Sequence, residues 1–124
     1  MMYRFLSRIV FALFISFSTL AQTVTVKIIE TSDVHGAIFP YDLKENKEIN
    51  SSLARVTTYL KELRADSNQI VFLLDNGDVL QGDPVVYYYN FEKTDTIHLY
   101  ADVMNFMKYD AGTVGNHDIE TGHD

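Results

Sequence analysis

Ile70-Val71-Phe72-Leu73-Leu74 is an unbroken run of five apolar residues closed by Asp75-Asn76-Gly77-Asp78. A run of that length, bounded by turn-forming residues, predicts a strand covered on both faces in a parallel sheet. This constrains the flanking chain, because parallel strands are joined by crossovers and not by hairpins. Helical patterns lie on both sides. Leu53, Val56, Leu60 and Leu63 recur at 3-4-3 spacing behind Ser51 or Ser52, either a plausible N-cap, and predict a helix to about Ala65. Ile97, Tyr100, Ala101, Met104 and Met107 form the apolar face of a second helix, with Thr96 or Asp95 as its cap. Thr23 to Glu30 (TVTVKIIE) reads as a strand running into a turn at Thr31-Ser32-Asp33. Ala111 to Val114 reads as a short strand ending at Gly115, and the polar stretch Tyr41 to Asn50 as a surface loop. The order is βαβαβ, and the fold class α/β with right-handed connections.

The beginning of the chain is of another kind. Arg4 and Arg8 precede the apolar stretch Ile9 to Ile15, and Thr19-Leu20-Ala21 offers a small-x-small junction. Residues 1–21 therefore read as a signal peptide, with export to the periplasm or the cell exterior. Ile9 to Leu20 is shorter than the roughly 20 residues that span a bilayer, so no stable membrane anchor is expected. Ten basic against 17 acidic side chains give a charge of −7, which argues against a binder of nucleic-acid duplexes. The chain has no cysteine, which excludes disulfides, thiolate metal sites and a cysteine nucleophile.

Each predicted strand ends in a polar cluster: Asp33-Val34-His35, Asp75-Asn76-Gly77-Asp78 and Gly115-Asn116-His117-Asp118. In open α/β sheets ligands bind outside the carboxyl ends of the strands, so the three clusters converge on one site. Asp33 and His35, two apart on extended chain, would point the same way and offer an oxygen and a nitrogen to one cation. Asp78 follows a glycine that allows close approach, and its two oxygens can bridge two cations. Asn116 adds a neutral oxygen, and His117 can either ligate or move protons. Mixed oxygen and imidazole ligation suits Zn, Mn or Fe.

The ordered set D-x-H, G-D and G-N-H-[DE] resembles the calcineurin-like metallophosphoesterase superfamily. Ser32 to Gly36, Asp75 to Pro84 and Val114 to Asp118 look like its secreted 5'-nucleotidase and 2',3'-cyclic-nucleotide phosphodiesterase branch. The resemblance implies that residues 22–124 are the βαβαβ front part of a metallophosphoesterase α/β sandwich. It also implies two divalent metal ions, Zn, Mn or similar, and a nucleotide or other phosphate ester as substrate, attacked by a hydroxide held between the metals. Asp33 and His35 match ligands of the first metal, Asp78 the bridging carboxylate and Asn116 a ligand of the second metal. His117 matches the histidine that stabilises the transferring phosphoryl group or protonates the leaving oxygen. Glu120 stands where the family orients that histidine with an Asp.

The family's G-H and G-H-x-H motifs and its C-terminal nucleotide-recognition domain have no counterpart in this sequence, so this span by itself is expected to be inactive. A sulfur-compound hydrolase of the same superfamily and a non-catalytic secreted α/β fragment are the alternatives. His98 reads as a solvated surface histidine and His123 as a surface or capping residue. Tyr87-Tyr88-Tyr89 reads as a buried or half-buried connecting segment, and Met104 and Met107 as core.

Overall fold

The computed structural model describes Tyr3 and residues 23–120, so the predicted leader (Tyr3 apart) and His123 lie outside the described residues. Three parallel strands, β1 (Thr25–Thr31), β4 (Gln69–Asp75) and β5 (Ala111–Gly112), pair in the order β1-β4-β5. Their connections carry α1 (Leu53–Arg64) and α3 (Leu99–Met107). The βαβαβ reading is the architecture found. Inside the predicted loop, β2 (Tyr41–Asp42) and β3 (Lys47–Glu48) form a short antiparallel ladder. A short helix, α2 (Pro84–Tyr87), continues into a wider turn over Tyr88–Glu92. No described helix is long and apolar enough to cross a membrane.

α1 starts where the sequence predicts: Ser52 is the N-cap, its side chain accepting the Arg55 N–H at 3.3 Å. Leu53, Leu60 and Leu63 form its buried face. At its end the Arg64 guanidinium donates to the carbonyls of Met107 (2.6 Å) and Lys108 (3.1 Å). One side chain thereby satisfies the last carbonyls of α3 and ties the two helices together.

α3 begins two residues later than the Thr96 cap predicts. His98 is its N-cap, with Nδ1 accepting the Tyr100 N–H at 3.0 Å while Nε2 meets Asn90 Oδ1 at 3.0 Å. His98 is thus half-buried and not a solvated surface residue, and burial holds its pKa below the ordinary 6.5. Ile97, left outside the helix, is 69% exposed, and Ala101 is also exposed. Tyr100 and Met107 are buried, with Met104 packed against the core. Tyr87 and Tyr88 are exposed and Tyr89 is half-buried, so the buried or half-buried reading holds for Tyr89 and fails for the other two.

The core gathers Leu53 and Leu60 of α1, Tyr100 and Met107 of α3, and Leu73 of β4, with Ile29 and Val71 packed against it. Both helices therefore cover one face of the sheet. The register pairs Val26 with Ile70 and Ile28 with Phe72 on the opposite face. There Val26 is 56%, Ile28 66%, Ile70 49% and Phe72 40% exposed. Among the described residues β4 is clothed on one side only, where its apolar run predicts two.

Candidate active site

All three polar clusters lie at the same edge, beyond the carboxyl ends of β1, β4 and β5. Because β4 is central, its following loop lies between the other two, and hydrogen bonds record this. Asp33 N donates to Gly77 O (3.1 Å) and His35 N to Asp78 O (3.0 Å) on one side. On the other, His117 N donates to Asp78 Oδ1 (2.9 Å). Asp78 Oδ2 takes no hydrogen bond among the described residues, which leaves it available to a cation.

Close approach of the outer loop depends on two glycines. Gly77 has φ +86°, and a Cβ there would lie 2.9 Å from Gly115 Cα. A Cβ on Gly115 would lie 2.5 Å from Asp78 Cγ. Neither site has room for a side chain.

Asp33 and His35 depart from the extended geometry expected of them. Their φ values are +53° and +50°, so the D-x-H segment is a turn beyond β1 and alternation along a strand does not aim its side chains. Asp33 Oδ2 instead accepts from the Ser32 hydroxyl. His35 Nδ1 lies 3.1 Å from Gln81 O; a carbonyl only accepts, so Nδ1 carries a proton and, in the neutral ring, Nε2 keeps its lone pair. That tautomer fits a metal ligand. Among the described residues, however, no three His, Cys, Asp or Glu side chains are gathered closely enough to hold a metal ion. The donor types and the His35 tautomer fit such a group; a closed cage is not formed by these residues.

The His35 and His117 rings have centroids 5.7 Å apart. His117 Nδ1 lies 3.2 Å from Glu120 Oε1, and Glu120 Oε2 accepts from Gln81 Nε2 at 2.9 Å. Asn116 is exposed. A cavity of about 660 Å³ opens beside His117 and Glu120, with Lys44, Tyr87 and Phe91 among its lining residues.

Beneath the site Thr31 Oγ1 donates to Asp75 Oδ1 (2.8 Å) and receives the Tyr109 hydroxyl (2.9 Å). Burial raises the pKa of Asp75, against the opposing Thr31 and Gly77 hydrogen bonds, and also raises those of Tyr100 and Tyr109. Asp118 is the reverse case. Burial pushes it up, yet backbone N–H donors from Gly115, Leu80, Val79 and Asp78 outweigh that and hold it below the ordinary carboxylate value. Reading residues one by one assigns no role to Gln81 or Asp118. Both stand inside the motifs, but Gln81 meets the His35 and Glu120 side chains and Asp118 collects the amides of Asp78, Val79 and Leu80, partners 38 to 46 residues away that no pattern along the chain signals.

Residues 26–124 match the calcineurin-like phosphoesterase family. The chain belongs to that family. It is 38% identical over 111 residues to the trifunctional nucleotide phosphoesterase protein YfkN of Bacillus subtilis, covering 84% of this chain and 8% of that protein. A 2',3'-cyclic-nucleotide 2'-phosphodiesterase/3'-nucleotidase of Yersinia enterocolitica is 32% identical over 107 residues (84% of this chain, 16% of the relative). The crystal structure of YfkN superposes with a TM-score of 0.70 at 36% identity, over 81% of this chain and 32% of that one. The chain thus spans only a small part of the length of the curated relatives it matches.

Proposed function

We propose that residues 22–124 are the N-terminal part of a metal-dependent hydrolase of nucleotide phosphate esters, of the 5'-nucleotidase or 2',3'-cyclic-nucleotide phosphodiesterase kind. The observation that carries this is the place of Asp78 on the central loop, bonded to the His35 loop on one side and the His117 loop on the other. A carboxylate so placed can serve two cations at once. Asp33 and His35 would hold the first ion, Asn116 the second, and Asp78 both. Two bound divalent ions supply charge to offset a phosphoryl group and make water nucleophilic near neutral pH. Offsetting charge is needed here, because Asp33, Asp78, Asp118 and Glu120 would otherwise repel a phosphate.

His117 Nε2 faces the leaving oxygen in this reading. Nδ1–H held by Glu120 fixes the ring, so that Nε2 can hold or deliver a proton. Names of the relatives favour a nucleotide ester over the sulfur compound that the motifs leave open. The leader reading of residues 1–21 makes the protein an exported one.

Calorimetric titration with Mn²⁺ tests this. Binding is expected in the wild-type chain and should weaken at least about 100-fold in Asp78→Ala. AMP and 2',3'-cyclic AMP should bind only with Mn²⁺ present. Equal Mn²⁺ affinity in the variant, or nucleotide binding indifferent to Mn²⁺, refutes the assignment.

A further inference from the structure

Asp118 has both carboxylate oxygens committed to backbone. Oδ2 accepts from Asp78 N (2.8 Å) and Gly115 N (2.9 Å), while Oδ1 accepts from Val79 N (2.8 Å) and Leu80 N (2.9 Å). One residue earlier, His117 N donates to Asp78 Oδ1 at 2.9 Å. The two aspartates therefore exchange places: each carboxylate terminates amides of the loop that carries the other.

We propose that Asp118 is a positioning residue, which through this exchange holds the Asp78 carboxylate and the Asn116-His117 backbone in one fixed relation. The contact stands on geometry alone; its purpose rests on the metal-phosphoesterase reading. Asp78 has φ +60°, a conformation a non-glycine residue keeps only when its surroundings impose it. Three successive amides after Gly77 turned onto one carboxylate impose it. The same carboxylate reaches Gly115, so the loops after β4 and β5 cannot shift independently. Asp78 then keeps one oxygen on His117 N and presents the other outward. A carboxylate suits this place because all four partners are donors. Asparagine would direct an NH₂ group at N–H groups and could satisfy only one side.

Residue-resolved amide hydrogen exchange on the 124-residue chain without metal tests the contact. In the wild type, across a urea series, Asp78, Val79, Leu80, Gly115 and His117 should open as one unit. In Asp118→Asn all five should exchange at least about 10-fold faster while the β4 amides hold, and Asp118→Glu, which keeps both oxygens, should recover part of the protection. His117 is diagnostic, because its own acceptor is not altered. Unchanged His117 exchange in folded Asp118→Asn, or wild-type His117 opening apart from Gly115, overturns the proposal. If Asp118→Asn does not fold, the wild-type series decides.

Mn²⁺ calorimetry reads the role itself. Affinity should fall about 10–100-fold in folded Asp118→Asn, and equal affinity refutes positioning. No Mn²⁺ binding by the wild type overturns the functional reading and the positioning role with it, leaving the exchange result to stand for the loop contact alone.

Discussion

Gly115→Ala adds one methyl group where the Asp78 and His117 loops meet. Its Cβ would stand 2.5 Å from Asp78 Cγ, whereas carbon atoms rest about 3.5–4 Å apart. One loop must retreat by about 1 Å. Such a retreat stretches the Gly115 N to Asp118 Oδ2 bond and the His117 N to Asp78 Oδ1 bond, each 2.9 Å. Hydrogen bonds to a charged acceptor contribute about 1.5–3 kcal/mol apiece. Water can replace part of that in a half-buried site, so the net loss should be about 3 kcal/mol. Gly112→Ala is the control. Its nearest neighbours would lie 3.5 Å and beyond, at ordinary contact distance, so a change within about 0.5 kcal/mol is expected. Neither glycine has its φ in the left-handed region, so the comparison isolates steric room. Urea unfolding followed by circular dichroism gives both values. Midpoints that place the two variants within 1 kcal/mol of each other would refute the reasoning.

Lowering pH should weaken α3. The folded pKa of His98 lies below 6.5, so between these values the unfolded chain binds more protons and stability falls as pH drops below about 6.5. His98→Asn keeps a capping side chain without titrating; the stability difference between wild type and this variant, by urea unfolding, should shrink from pH 7.5 to 5.5. Leu73→Ala should cost about 2–5 kcal/mol, since Leu73 is fully buried. Ile28→Thr, on the exposed face of the same sheet, should cost less than about 1 kcal/mol, and a larger loss in thermal unfolding would show that the face is covered.

Element order was legible because Leu53, Val56, Leu60 and Leu63 carry a helical period and Ile70 to Leu74 carries none. What escaped depends on facts that periodicity does not hold. An apolar run reports that a strand tolerates burial, not that something packs on each side, and so both faces of β4 were expected to be covered. His98 was placed outward by counting from Thr96; beginning the helix two residues later turns its ring inward as a cap. Asp33 and His35 take positive φ although neither is glycine, because the amides of these two residues bond to the carbonyls of Gly77 and Asp78 on the neighbouring loop. The site was legible in residue type and in order along the chain. The aim of the side chains was not: His35 and Asp78 take backbone partners on another strand's loop, which no pattern along the chain displays.

The sheet face left exposed among the described residues has a thermal consequence. Unfolding raises heat capacity chiefly because apolar surface meets water, by about 0.45 cal/mol/K for each Å² newly exposed. Val26, Ile28, Ile70 and Phe72 are already 40–66% exposed among the described residues and add correspondingly less to that change. The described chain should therefore show a smaller heat-capacity increment per residue than the usual ~12–15 cal/mol/K. Warming and cooling would then move its folding free energy along a shallower arc, and covering that face would steepen it.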